Sequence, residues 1–182
     1  MPLNIIDRKA DLFITGVIAS FCGWLFETVA FLLLYNTLAD RGLLTLPLCP
    51  IYGTTLIIIY VLVGTPIGSR VLLIKRWPQG FRCIVYFLFC FISTMLIEHL
   101  VGSLSELITG RVLWSYESYE YALGRYACLE MGFAWGVLIT AIMPALELLI
   151  RAVGRLDEGL KKRLSLTLLF AITIDMIVNL CI

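Results

Sequence analysis

Glu27, Glu98 and Glu130 each stand inside an apolar run: "FCGWLFETVAFLLLY" (21–35), "FISTMLIEHLVG" (91–102) and "ACLEMGFAWG" (127–136). A carboxylate in such a place can hold a cationic group, pair with an arginine, or act as a base beside a phosphate. An unpaired charge at membrane depth costs at least about 2.5–3.5 kcal/mol on insertion scales, so each acid needs a partner, water or a proton. The cations available from the same side are Arg41, Arg111 and Arg125. The plainer reading has each glutamate clamping two helices, and for any one of them both readings stand open. Asp175 reads as structural, since no basic residue of its own helix lies above it.

Other chemistry is thinly represented. Six cysteines are scattered without a zinc-like spacing, and most fall in apolar runs where a thiol behaves as a small hydrophobe. His99 is the one histidine, too few for a multi-histidine metal or haem site. It adjoins Glu98, but neighbours on a helix point about 100° apart, so the two make a weak catalytic pair. No metal and no cofactor is expected. Near-neutral charge (14 basic, 13 acidic) argues against a nucleic-acid partner.

The elements that carry these residues must be membrane helices. The chain has 182 residues, 60% hydrophobic and 15% charged, with a mean hydropathy of +0.96. A soluble domain has about 45–50% apolar and about 25% charged residues. A crossing needs about 20 apolar residues, and five segments qualify, near 12–36, 54–74, 82–109, 126–150 and 164–182. The expected fold is therefore all-α, a polytopic integral membrane helical bundle of about five transmembrane helices forming a single domain over 1–182. No internal repeat is apparent, and no cleavable secretory signal is expected.

Charge then sets the sidedness. With five crossings, 11 of the 14 basic residues fall on the side of the N-terminus and the second and fourth loops; Arg41, Arg111 and Arg125 fall on the other. The positive-inside bias places the N-terminus in the cytoplasm and the C-terminus outside, as in a multi-pass protein of the cell (inner) membrane. On this count Glu27, Glu98 and Glu130 lie in the outer half. Gly16, Ser20, Gly23 and Glu27 follow 4-3-4 spacing, a small-residue face that admits a close helix neighbour. Thr94, Glu98, Gly102 and Glu106 follow 4-4-4 spacing. The polar faces are expected to turn inward and meet.

Both outer loops read as ordered. "DRGLLTLPLCPIYGTT" (40–55) carries Pro47 and Pro50, which restrict the residues before them. "ELITGRVLWSYESYEYALGRYACLE" (106–130) carries two Gly-Arg pairs with Trp114, Tyr116, Tyr119 and Tyr121, either an interfacial aromatic belt or a cap that faces an anion. Cys49 and Cys128 both lie toward the oxidising side; packing and a disulfide stay open for them.

These stretches resemble the ABC-transporter type IV membrane family (CmpB-like), whose pattern runs G-W-x-x-E, then R-G-F-L-x-G-P-x-C-P-I-Y-G, then T-x-x-x-W-x-Y-S followed by G-R-I-C-L. Gly23, Trp24 and Glu27 match the first element; Arg41, Gly42, Pro47, Cys49, Pro50, Ile51, Tyr52 and Gly53 match the second; Trp114, Tyr116, Gly124, Arg125, Cys128 and Leu129 match the third. The sequence departs from the pattern at Leu46 and over 115–123. The resemblance covers most of the chain and implies a membrane component of a transport system, without assigning a substrate or a catalytic residue.

Two functions of different class follow. In the first, a transporter membrane component binds a small polar solute from the outer face. Its candidate binding residues are Trp24, Glu27, Arg41, Tyr52, Glu98, Arg111, Trp114, Tyr116, Arg125 and Glu130. The chain has no phosphate-binding loop of the G-x-x-x-x-G-K-[ST] type, so ATP would be hydrolysed by a separate ATPase subunit, contacting the basic residues 151–165. That loop serves equally as a topology signal beside anionic membrane lipid. In the second, the chain is a small integral-membrane enzyme acting on a lipid or lipid-linked substrate at the outer leaflet. The transport reading is preferred, an enzyme is not expected, and the oligomeric state stays open.

Overall fold

The computed structural model describes residues 8–36, 44–68 and 76–181. Arg41 and Gly42, together with the loop residues Arg70 and Lys75, lie outside the described residues. Within them are five helices: α1 (Lys9–Tyr35), α2 (Pro50–Val63), α3 (Gln79–Thr109), α4 (Leu129–Val153) and α5 (Glu158–Cys181).

Four of these are long and apolar enough to cross a membrane, over Lys9–Leu33, Gln79–Thr109, Leu129–Val153 and Glu158–Leu180. Helix α2 differs from the expected span of 54–74. Its 14 residues rise only about 21 Å at 1.5 Å each, short of a hydrocarbon core of about 30 Å. It begins at Pro50, where the missing N–H is no loss. It stops at Gly64, whose φ of +80° leaves the helix, and Pro66 then holds Thr65 away from the helical region. Helices α1, α3 and α5 begin before their apolar runs because their first turns take in polar flanks, such as Glu158–Arg163.

The chain divides into two compact units, one of Met1–Ile57 with Leu148–Ile182 and one of Ile58–Glu147. In the first, the start of α2 packs on the small-residue face of α1. Any Cβ on Gly53 would collide with the Gly16 carbonyl and the Ser20 hydroxyl, so the close crossing demands glycine there. Cys49 N–H donates to the Ser20 carbonyl at 3.1 Å, fixing the entry to α2. As numbers rise on α2 its contacts move back along α1, from Gly23 under Tyr52 to Gly16 against Ile57, so the pair is antiparallel.

One end of this unit is closed by charge. Asp11, 3% exposed, accepts from Lys161 Nζ at 2.9 Å and from Arg8 Nε at 2.9 Å. Arg8 also donates to the Ile150 carbonyl at 3.1 Å, tying the start of α1 to the last turns of α4 and the first turns of α5. Farther along α5, Asp175 Oδ2 accepts the Leu46 N–H at 3.1 Å, and Asn179 Nδ2 donates to Thr45 Oγ1 at 3.0 Å. Asp175 thus serves structure, holding the backbone ahead of α2. The opposite face of α5, with Leu169, Phe170 and Ile177, is exposed as a lipid-facing surface would be.

In the second unit α3 and α4 run antiparallel: Gly132 meets Met95 and Phe91, while Gly136 meets Phe87 and Phe91. Phe87 and Phe133 close the same seam edge to face at 5.3 Å. Tyr86, fully buried, donates to the Gly64 carbonyl at 2.9 Å and so seats the turn after α2. Helix α3 ends on Gly110 in the left-handed region, whose N–H caps the Glu106 carbonyl at 2.8 Å.

Candidate functional site

The segment from Gly110 to Cys128 is a folded cap. Tyr116 N–H donates to the Arg125 carbonyl at 2.7 Å, Leu123 N–H to Ala127 at 2.8 Å, and Leu129 N–H to Tyr121 at 3.1 Å. Gly124, with φ of +87°, makes the turn that returns the chain. Cys128 at the end of the cap is fully buried.

Three carboxylates of the helices beneath hold this cap. Glu98 Oε1 accepts the Tyr116 hydroxyl at 3.2 Å. Glu130 Oε1 accepts the Tyr121 N–H at 3.1 Å, and its Oε2 is buried with no hydrogen-bond partner among the described residues. Glu106 takes the Arg125 guanidinium on Oε1 at 2.7 Å and the Tyr126 hydroxyl on Oε2. Arg125 also reaches Glu117 at 3.4 Å.

Glu98 and Glu130 both lie near enough to Cys128 to act on its thiol. Burial pushes the Cys128 thiol up, and the charges of Glu130 and Glu98 add to the shift. Burial likewise raises the Tyr116 phenol, with Glu98 beside it reinforcing the effect and Trp135 of α4 bonding to it in opposition. The cluster brings two carboxyl groups to a phenol and a thiol that keep their protons at neutral pH, an arrangement that can accept hydrogen bonds from a cationic group.

Of the three candidate arginines, Arg41 lies outside the described residues. Arg125, expected above Glu98 and Glu130, commits its guanidinium to Glu106 and Glu117. Its bond with the neighbouring Tyr126 and then those two carboxylates hold its charge more firmly than usual. The reason is position: Glu106 lies two turns nearer the cap than Glu98 on the same face of α3 and meets Arg125 first. Arg111 is exposed. Trp114 is edge-on to Tyr126 at 6.0 Å and donates to its carbonyl at 3.4 Å, so it belongs to the cap's own packing.

In the first unit, Glu27 Oε1 accepts the Tyr52 hydroxyl at 2.7 Å while the Tyr52 ring lies against Gly23, where a Cβ would overlap it. Trp24 stacks on Phe21 and its carbonyl accepts Thr28 Oγ1 at 2.8 Å. The Tyr126 ring lies against Gly102 in the same way, its hydroxyl on Glu106. One device thus occurs twice: a Gly-x-x-x-Glu helix face receives a tyrosine from beside the start of the next helix, ring on the glycine and hydroxyl on the acid. Sequence reading missed this recurrence, although the spacing of Gly23 with Glu27 and of Gly102 with Glu106 is its visible half. It also missed the Asp11–Lys161 pair. Neither Cys49 nor Cys128, open to a disulfide from sequence, is joined in one.

These features define a multi-pass helical membrane protein with carboxylates at helix interfaces. A family model described as "Putative ABC-transporter type IV" matches residues 14–180, and the chain belongs to that family. No curated protein and no solved structure matches the chain. The first two family motifs are the two sides of one contact, since Gly23 and Glu27 receive Tyr52.

Proposed function

We propose that this chain is the solute-binding membrane component of a transport system, taking a small polar solute with a cationic group, such as an amine, from the outer face. The observation that carries this reading is the approach of Glu98 and Glu130 to Cys128 beneath a folded cap, with Arg125 bound elsewhere. Tyr116 is the phenol that orients the bound group. The Glu27–Tyr52 pair serves the packing of α1 on α2, and Arg111 on the exposed cap attends the mouth of the site.

The N-terminus is cytoplasmic in this reading, and the chain acts as one domain with five crossings, α2 making the second with the non-helical residues at its two ends. The link from Arg8 and Asp11 to Lys161 supports the sidedness, because it puts the start of α1 and the basic fourth loop at one end. A separate ATPase subunit would meet that loop at Arg155, Lys162 and Arg163, which are exposed, but not at Lys161, which is buried against Asp11.

A thermal-shift screen of the purified protein tests the site. Primary and quaternary amines should raise the melting temperature of the wild type and not that of Glu98→Gln or Glu130→Gln. Stabilisation by small carboxylates instead, or amine shifts that survive both substitutions, would refute it.

A further inference from the structure

Of the three carboxylates that hold the cap, two belong to the proposed site, and a cationic solute would compete with Tyr116 and Tyr121 for them. Glu106 is different. It engages the cap with both oxygens, one on Arg125 and one on Tyr126, and the Tyr126 ring is seated on Gly102 one turn below. The cap carries glycines in the left-handed region at Gly110, where it leaves α3, and at Gly124 within it. Much of its outer side, including Val112, Tyr119, Tyr121 and Leu123, is exposed, and its burial is concentrated at Tyr126, Ala127 and Cys128.

The geometry points to Glu106 as a positioning residue that anchors residues 110–128 as a lid over Glu98 and Glu130, independently of the two carboxylates that the solute takes. This rests on the solute site lying beneath the cap. Glu106 acts through Arg125, whose carbonyl accepts the Tyr116 N–H and so aims the Tyr116 hydroxyl at Glu98. It acts also through Tyr126, two residues before Cys128. Solute entry would release Tyr116 and Tyr121 while the Glu106 link keeps the lid attached and in register for reclosure.

Cysteine alkylation reads the lid without any solute, so its outcome is separate from that of the amine screen. Cys128 and Cys90 are both fully buried, Cys128 at the end of the lid where it meets α4 and Cys90 within α3. In a chain keeping only these two cysteines, N-ethylmaleimide should label both slowly. Glu106→Gln, which loses the charge of the pair, should raise the Cys128 rate by about tenfold and leave Cys90 unchanged, as expected for local opening. Glu106→Ala should raise it further, and Glu106→Asp, which keeps the charge, should stay below Glu106→Gln. A Cys128 rate unaffected by Glu106→Gln would overturn the proposal. So would a parallel rise at Cys90.

Discussion

Tyr52 donates its hydroxyl to Glu27 at 2.7 Å while its ring covers Gly23, one turn back on the same helix. The contact joins two family motifs and gives an intramembrane carboxylate a hydrogen-bond donor without bringing a second charge. Tyr52→Phe should therefore destabilise the protein by about 0.5–3 kcal/mol, the range that spans hydrogen bonds to neutral and to charged acceptors. Thermal unfolding in mild detergent measures this. Gly23→Ala should cost about 1–3 kcal/mol through overpacking against the ring. Glu27→Gln, which keeps an acceptor, should be the mildest of the three.

Asp11 and Lys161 make a second kind of contact, an ion pair with both residues under 5% exposed. Asp11→Ala would remove one of two counter-charges of the buried lysine and leave Glu158 at 2.6 Å, so a loss of about 1.5–3 kcal/mol is expected, the range for a hydrogen bond to a charged group. Replacing both, as Asp11→Leu with Lys161→Met, should recover most of that loss. Equal damage from the single and double variants would show that the pair is not what joins α1 to α5.

The two lysines of the fourth loop should separate by role. Lys162→Glu with Arg163→Glu, both exposed, should weaken co-purification of an ATPase subunit and leave the melting temperature unchanged. Lys161→Gln should lower the melting temperature. A pull-down unaffected by the first variant would remove this loop as the contact.

Alkaline titration should find Tyr116 among the last phenols to ionise, because burial and the charge of Glu98 raise it above its ordinary value near 10. The sign follows directly. A phenol whose folded value is raised contributes stability that is complete below about pH 10 and is lost as pH climbs through the folded value. Tyr116→Phe should remove a late step from the tyrosinate absorbance curve, and an unchanged late step would place the phenol in a more open setting.

Much of the helical framework was legible, because apolar length and the 4-3-4 face of Gly16, Ser20, Gly23 and Glu27 both report local geometry. The short α2 was not, since apolar residues continue through Gly64 and Pro66 and hydropathy does not register a backbone break. Glu98 and Glu130 were legible as acids that need partners. Which acid Arg125 would take was not, because Glu98 and Glu106 share one face of α3 and only the fold of the cap decides between them. Asp11 and Lys161 are 150 residues apart, and each alone reads as an ordinary flanking charge. One partner of Asp175 is a backbone N–H at Leu46, which no side-chain pattern announces.

Affinity purification of the tagged protein in mild detergent, followed by mass spectrometry of bound small molecules and proteins, tests the central claim most directly. The account predicts a small amine released from the wild type and absent from Glu98→Gln and Glu130→Gln, with an ATPase subunit in the same eluate. A lipid-linked molecule without an ATPase, or an amine that both variants retain, would contradict it.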